Sequence, residues 1–225
     1  MIESRLADVR DRIARAASRA HRDPSHIKLI AVSKTFGADA VREAASAGQV
    51  DFGENKVQEA QMKRAATAGL KAVWHLIGHL QSNKAKKAAA EFDVIHSIDS
   101  ADLVRKVDAA AAALGRTLTL LVQVDLAHEA TKHGADEREL PSIFEAASAC
   151  RAVKMSGLML IPPAVDDARQ WFARLREVRD GLIRAGVNRD QLTELSMGMS
   201  HDFETAIEEG ATMVRVGTAI FGARL

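Results

Sequence analysis

The run KLIAVSKTFG ends a short apolar stretch, Leu29 to Val32, and places Lys34 directly after it. A lysine at a strand end ordinarily lays its stem along the rim and leaves its amine in water. Held in a concave pocket beside other cations, the same amine loses its proton and becomes a nucleophile that forms a Schiff base with an aldehyde. The far end of the chain carries groups suited to an anion. In LSMGMSHDFETAIEEG, Ser200 precedes a helical pattern through Phe203, Ala206 and Ile207, as N-cap with Asp202 in the first turn. Such a cap is the common use of a serine there, and a helix start also favours phosphate. In VRVGTAIFG, Gly217 and Thr218 offer backbone N–H groups that an anion could approach closely, because glycine has no Cβ in the way. Arg215 stands two residues before Gly217. It is permanently charged, and either pairs with Glu54 or another carboxylate or faces a ring nitrogen and keeps it unprotonated.

These residues must be positioned by elements, and the pattern of elements is regular. Ile2, Leu6, Val9, Ile13 and Ala17 recur at helical steps, so the chain opens with an amphipathic helix. Eight β-prone runs follow, from KLIAVSK through VDFGEN, VWHLIGH, FDVIHSID, LTLLVQVDL, KMSGLMLI and ELSMG to ATMVRVG. Helical stretches separate them: Ser100 caps one whose stripe is Leu103, Val107 and Leu114 and whose stop is Gly115. Another carries Trp171, Leu175, Val178 and Leu182 on one face and ends at Gly186. Eight strand–helix units predict an α/β fold, a (β/α)8 TIM barrel with an extra N-terminal helix, built as a single domain over residues 1–225. A doubly wound open sheet is the competing architecture, but no glycine-rich dinucleotide or P-loop motif accompanies it. Barrels carry their function where strands end. That rule selects Lys34, Glu54, Asn55, His79, Ser97, Asp125, Pro162, Ser196 and the segment from Arg215 to Thr218.

Bulk properties exclude several classes of function. With 31 basic and 30 acidic residues among 225, the net charge is +1, which gives no footprint for nucleic acid and favours a small-molecule partner. The single cysteine, Cys150, forms no internal disulfide, and no apolar run is long enough for a membrane span, so a cytoplasmic protein with no membrane partner is expected. His75 and His79 lie four apart, but their apolar neighbours read as a strand and turn and no third ligand accompanies them, so no metal is expected. No G-x-S-x-G elbow supports a hydrolase. Met155, Met159, Met197 and Met199 read as core or pocket wall.

Taken together, LIAVSKT, FGENKVQEA, WHLIGHLQSNK, SGLMLIPP and LSMGMSHDFETAIEEGATMVRVGTAIFG resemble the pyridoxal phosphate homeostasis family, whose barrel is like the N-terminal domain of alanine racemase. The resemblance runs from Leu29 to Gly222. It implies that Lys34 is the Schiff-base lysine for pyridoxal 5′-phosphate (PLP), that Ser200, Gly217 and Thr218 hold the phosphate, that Arg215 faces the pyridine nitrogen, and that Asn55 and Met199 line the pocket. It further implies a monomer that holds or buffers PLP and passes it to PLP-dependent apoenzymes. Three stretches depart from the family pattern: His79 follows Gly78 where a proline is common, Phe36-Gly37 stands where a proline is common after Lys34, and the surround of Lys132 and Gly134 is looser although their spacing is kept. The alternative is an amino-acid racemase. In alanine racemase the second base is a tyrosine from an additional β-domain, whereas this chain has no tyrosine and stops shortly after its FG turn. A barrel aldolase using Lys34 without PLP is the third possibility. A non-catalytic carrier is therefore expected.

Overall fold

In the computed structural model, residues 1–127, 133–164 and 167–223 are described, and Lys132 lies outside them. Eight parallel strands close into a barrel in sequence order: β1 Lys28–Val32, β2 Asp51–Glu54, β3 Val73–Leu76, β4 Val94–Ile98, β5 Leu118–Gln123, β6 Val153–Met159, β7 Glu194–Ser196 and β8 Met213–Val216. The eight runs read from the sequence are these eight strands. Around them lie α1 Ile2–Arg19, α2 Ala38–Ser46, α3 Val57–Ala66, α4 Ala85–Glu91, α5 Ala101–Ala113, α6 Leu140–Ser148, α7 Arg169–Arg184, α8 Phe203–Glu208 and α9 Thr218–Phe221. The expected N-terminal helix is α1, which buries Ile2, Leu6, Val9, Ile13 and Ala17 and packs on α8 and α9.

Two apolar regions sit on opposite sides of the sheet. The larger fills the space between sheet and helices, with Phe52, Phe92, Phe144, Phe172 and Phe203 fully buried. The smaller, Ile30, Val94, Leu121, Met159 and Met213, occupies the barrel interior. Strand alternation divides the residues between them. Closure pairs β1 with β8, setting Ile30 opposite Arg215 and Ala31 opposite Val216, so the two ends of the chain meet at one wall.

Local signals behave as their chemistry dictates, with two exceptions. Ser100 accepts the Leu103 amide at 3.3 Å and caps α5. Leu114, expected in the α5 stripe, is exposed because the helix has already ended at Ala113. Ser200 is not the cap of α8, which begins only at Phe203 with Asp202 at the N-cap position. Asp202 instead accepts the Met199 amide at 2.6 Å, tightening the loop before the helix.

Candidate functional site

At the C-terminal ends of the strands two cavities adjoin. One, of about 280 Å³, is lined by Lys34, Asn55, His79, Gln123, His133, Met199 and Arg215 among others. The second, of about 190 Å³, is lined by Val32, Lys34, Phe36, Met199, Ser200, His201, Gly217 and Thr218. Val32, Lys34 and Met199 belong to both, so Lys34 stands at the junction. All seven residues expected to hold a cofactor thus line one or other cavity. Gly78 lets the loops after β2 and β3 meet: a Cβ there would fall 2.4 Å from the Asn55 carbonyl oxygen.

The turn that carries Lys34 is held from beneath. Phe36 donates its amide to Ser33 O at 3.0 Å, and Thr35 adopts φ +72°, an uncommon conformation for a β-branched residue. Strain of this kind persists only where the surroundings impose it. Here the Thr35 amide donates to Glu59 Oε1 at 2.5 Å, and Glu59 accepts from Lys63 Nζ at 2.9 Å. Lys63, 5 % exposed, also donates at 2.6 Å to both Ser33 O and Glu54 Oε1. Ser33 Oγ completes the set by donating to the same Glu54 oxygen at 2.6 Å. Burial pushes the Glu54 carboxyl above its ordinary range, with Lys63 and Ser33 opposing, and Glu54 Oε2 remains unpartnered. Phe36 then packs on Phe221 of α9, ring centroids 5.2 Å apart, tying the lysine's loop to the last loop of the barrel.

Arg215 enters the larger cavity from β8 and is 4 % exposed. Its Nη1 donates to Ser196 O and Ser196 Oγ, both at 2.7 Å, and its Nη2 to Leu160 O at 2.8 Å. No carboxylate among the described residues reaches ion-pair distance, so the pairing with Glu54 entertained from the sequence does not occur. Glu54 projects to the outside of the barrel and is taken by Lys63. Burial lowers the guanidinium pKa to about 10, with Asp202 opposing, and the group stays charged at neutral pH.

The smaller cavity is shaped by a glycine and a hydroxyl. Gly198 has φ +91°, and a Cβ would lie 2.6 Å from Ala206 Cβ and 2.9 Å from Phe203 Cα, so only glycine lets the β7 loop lie against α8. This brings Ser200 Oγ to 3.2 Å from the Gly217 amide, which it accepts. Ser200 therefore bridges the last two loops rather than capping a helix.

Other residues chosen by the strand-end rule lie elsewhere. Ser97 is buried without a partner for its hydroxyl, and Ser196 sits below the cavity as the partner of Arg215. His79 is in the mouth: its ring stacks on His133 at 3.6 Å with an 11° tilt, and its Nδ1 lies 3.8 Å from Asp99. Burial and the His133 neighbour hold His79 below its ordinary pKa, with Asp99 opposing. His75 is on β3 inside the barrel, remote from a helical metal pair. Lys63, Glu59, Ser33 and His133 were not selected from the sequence, although Glu59 and Lys63 carried a helical i,i+4 pairing signal.

Residues 5–225 match the family described as alanine racemase, N-terminal domain. A pyridoxal phosphate homeostasis protein of Pseudomonas aeruginosa is 45% identical over 99% of this chain and 96% of its own length. One of Escherichia coli strain K12 is 39% identical over 99% and 97%. Among solved structures, PipY of Synechococcus elongatus with PLP bound superposes with a TM-score of 0.87 at 42% identity, covering 99% of this chain and 100% of that one. An alanine racemase of Clostridium difficile 630 shares the fold, with a TM-score of 0.74 at 17% identity over 99% of this chain and 56% of the racemase. With such relatives matched along nearly their whole length, the chain belongs to the pyridoxal phosphate homeostasis protein family.

Proposed function

We propose that this protein is a non-catalytic carrier of pyridoxal 5′-phosphate that holds the cofactor as a Schiff base on Lys34 and buffers or delivers it within the cell. The observation that carries this reading is a lysine shared by two adjoining cavities, one ending in Ser200, Gly217 and Thr218 and the other floored by Arg215. The two cavities, about 280 and about 190 Å³, together reach the scale of small-ligand sites. When bound, the cofactor supplies an electrophilic aldehyde carbon. Lys34 Nζ contributes the nitrogen of a carbon–nitrogen double bond to it, with loss of water. Ser200 and Thr218 offer hydroxyls to the phosphate, and Gly217 offers backbone approach without a side chain. Arg215, charged at neutral pH, faces the ring nitrogen and keeps it unprotonated, which weakens the ring as an electron sink and favours holding over turnover. Asn55 and Met199 complete the walls.

The carrier reading extends to one domain over residues 1–225, acting as a cytoplasmic monomer with PLP-dependent apoenzymes as recipients. No helix among the described residues is long and apolar enough to cross a membrane, in keeping with it. Mixing the protein with PLP is expected to give a visible absorbance band that borohydride fixes and that Lys34→Ala abolishes. An equal yield of reduced adduct in Lys34→Ala overturns the lysine assignment. One observation favours a racemase as the second reading: His79 and His133 bring imidazoles to the cavity of a chain with no tyrosine. Racemase assays over a panel of amino acids separate the two, since turnover of about 1 per second or faster is incompatible with a carrier.

A further inference from the structure

A line of polar side chains crosses the barrel interior beneath the larger cavity. Asp51 Oδ1 lies 2.9 Å from His75 Nε2, His75 Nδ1 lies 2.9 Å from His96 Nε2, and His96 Nδ1 lies 2.9 Å from Ser196 Oγ. Arg215 Nη1 closes the series at 2.7 Å from that hydroxyl. The two imidazoles are fully buried.

The two ends fix where every proton sits. A guanidinium only donates, so Ser196 Oγ accepts from Arg215 and turns its own proton to His96 Nδ1. The proton of His96 is then on Nε2 and donates to His75 Nδ1, and the proton of His75 is on Nε2 and donates to Asp51. The reverse direction would set an unprotonated ring nitrogen against the Asp51 carboxylate. Four hydrogen bonds thus run one way, from cation to anion, through two neutral rings. Burial keeps both rings below the ordinary imidazole pKa, and proximity to His75 and Arg215 lowers His96 further. The other charges bearing on the line are Lys28, 3.8 Å from Asp51, with Asp93 acting on His75 and Asp202 on Arg215. Hydrogen bonds in such a chain polarise one another, each strengthening its neighbour. Through it Arg215, without an ion-pair partner among the described residues, is linked to a carboxylate at the opposite end of the barrel.

We propose that Asp51, His75, His96 and Ser196 are positioning residues for Arg215, forming a one-way hydrogen-bond relay that fixes the guanidinium in the orientation from which it donates to a pyridine nitrogen. The relay stands on its own geometry; only the nature of its beneficiary rests on the PLP reading.

Two measurements on the full chain test it. In histidine- and arginine-labelled protein without PLP, nitrogen NMR is expected to show His75 and His96 as neutral Nε2–H tautomers that do not titrate near pH 6.5. Asp51→Asn, which removes the charge at the half-buried far end while keeping the shape, is expected to shift the Arg215 side-chain resonances. An Nδ1–H tautomer at either ring, or an unmoved Arg215 signal in folded Asp51→Asn, overturns the relay. With PLP, the same variant still forms the borohydride-reducible adduct, but binds roughly two- to fourfold more weakly, because a less firmly held guanidinium loses part of a charged hydrogen bond. The pH midpoint of its visible band moves as well. Unchanged affinity and midpoint overturn the link to the cofactor, as His96→Gln would confirm by the same two readouts. Absence of any adduct in the parent protein instead removes the PLP reading and leaves the NMR result to decide the relay.

Discussion

Between β2 and α3 a buried ammonium and a buried carboxylate meet at 2.6 Å, whereas inside the barrel a buried guanidinium reaches its carboxylate only through a serine and two imidazoles. The first assembly, Ser33, Glu54, Glu59, Thr35 and Lys63, cancels charge where it arises and clamps the strained turn after Lys34. The second leaves the positive end of Arg215 directed at the cavity and keeps the compensating charge remote. On the proposed carrier reading, the difference follows from what each end of the site must do. A nucleophilic lysine needs a fixed backbone to carry it, which the clamp supplies. A cation facing a ring nitrogen needs its charge undiminished at short range, which a directly paired carboxylate would screen.

Breaking the outer assembly is expected to have the largest effect on stability. Lys63→Met leaves the fully buried Glu54 carboxylate with Ser33 as its remaining donor and removes the donor to Ser33 O. Loss of one partner of a buried pair costs about 3–5 kcal/mol. Urea titration is the measurement, and the double variant Glu54→Leu/Lys63→Met should recover most of that loss, because apolar replacement of both partners is often neutral. A single-variant cost under about 1 kcal/mol, the range of exposed pairs, would mean that Glu54 is already neutral in the folded protein and that the clamp is not ionic.

The inner assembly should prove cheaper to break. His96→Leu leaves His75 Nδ1 without its donor while Ser196 Oγ keeps the Arg215 donor, so no charge is stranded, and one buried unsatisfied group costs about 1–3 kcal/mol. A loss of about 2 kcal/mol is expected, smaller than for Lys63→Met in the same titration. If His96→Leu costs more, Arg215 depends on the relay for its charge balance more than on its two carbonyl acceptors, Ser196 O and Leu160 O.

How these assemblies were missed in the sequence is instructive about strands. The barrel and its eight strands follow from apolar runs, helix stops and strand ends, all local signals, whereas the seven residues proposed for the cradle, which line the two cavities, were named as a set through the family resemblance. Glu54 was assigned to the mouth because it ends a strand, yet alternation along β2 turns Asp51, Gly53 and Asn55 inward and Phe52 and Glu54 outward. The two-residue period therefore held the information that the strand-end rule discarded. The same period puts His75 inside, against a partner on the neighbouring strand whose identity depends on register, which no single run of sequence specifies. Ser200 was read as a cap because local cap chemistry is common. Its partner is 17 residues away at Gly217, and that contact exists only because Gly198 lets the loop fold over α8.

The smallest expected effect separates the two assemblies by the sign of their pH dependence. His75 and His96 are held neutral by burial, with their folded pKa values below the ordinary one, so the unfolded chain binds protons more readily. Stability present above pH ~6.5 is lost as pH falls below it, by at most about 1.4 kcal/mol per pH unit for each ring. Glu54 has the opposite sign. Burial raises its folded pKa, so its contribution is fully present below the ordinary carboxylate value of ~4.3 and is lost as pH rises through the raised value. Burial also pushes Glu59 upward, but Lys63 and the Thr35 amide more than offset this and hold it low, so its contribution is lost only below pH ~4.3. Between pH ~6.5 and ~5, then, a fall in stability on acidification reports the inner rings together with His79, which is also held low, and the variants separate them. His96→Gln should flatten that slope by the share of one ring, measured by urea midpoints across the window, while Glu54→Gln should steepen it by removing the opposing group. An unchanged slope in His96→Gln would mean that the ring protonates in the folded state, and a one-way relay through it could not hold.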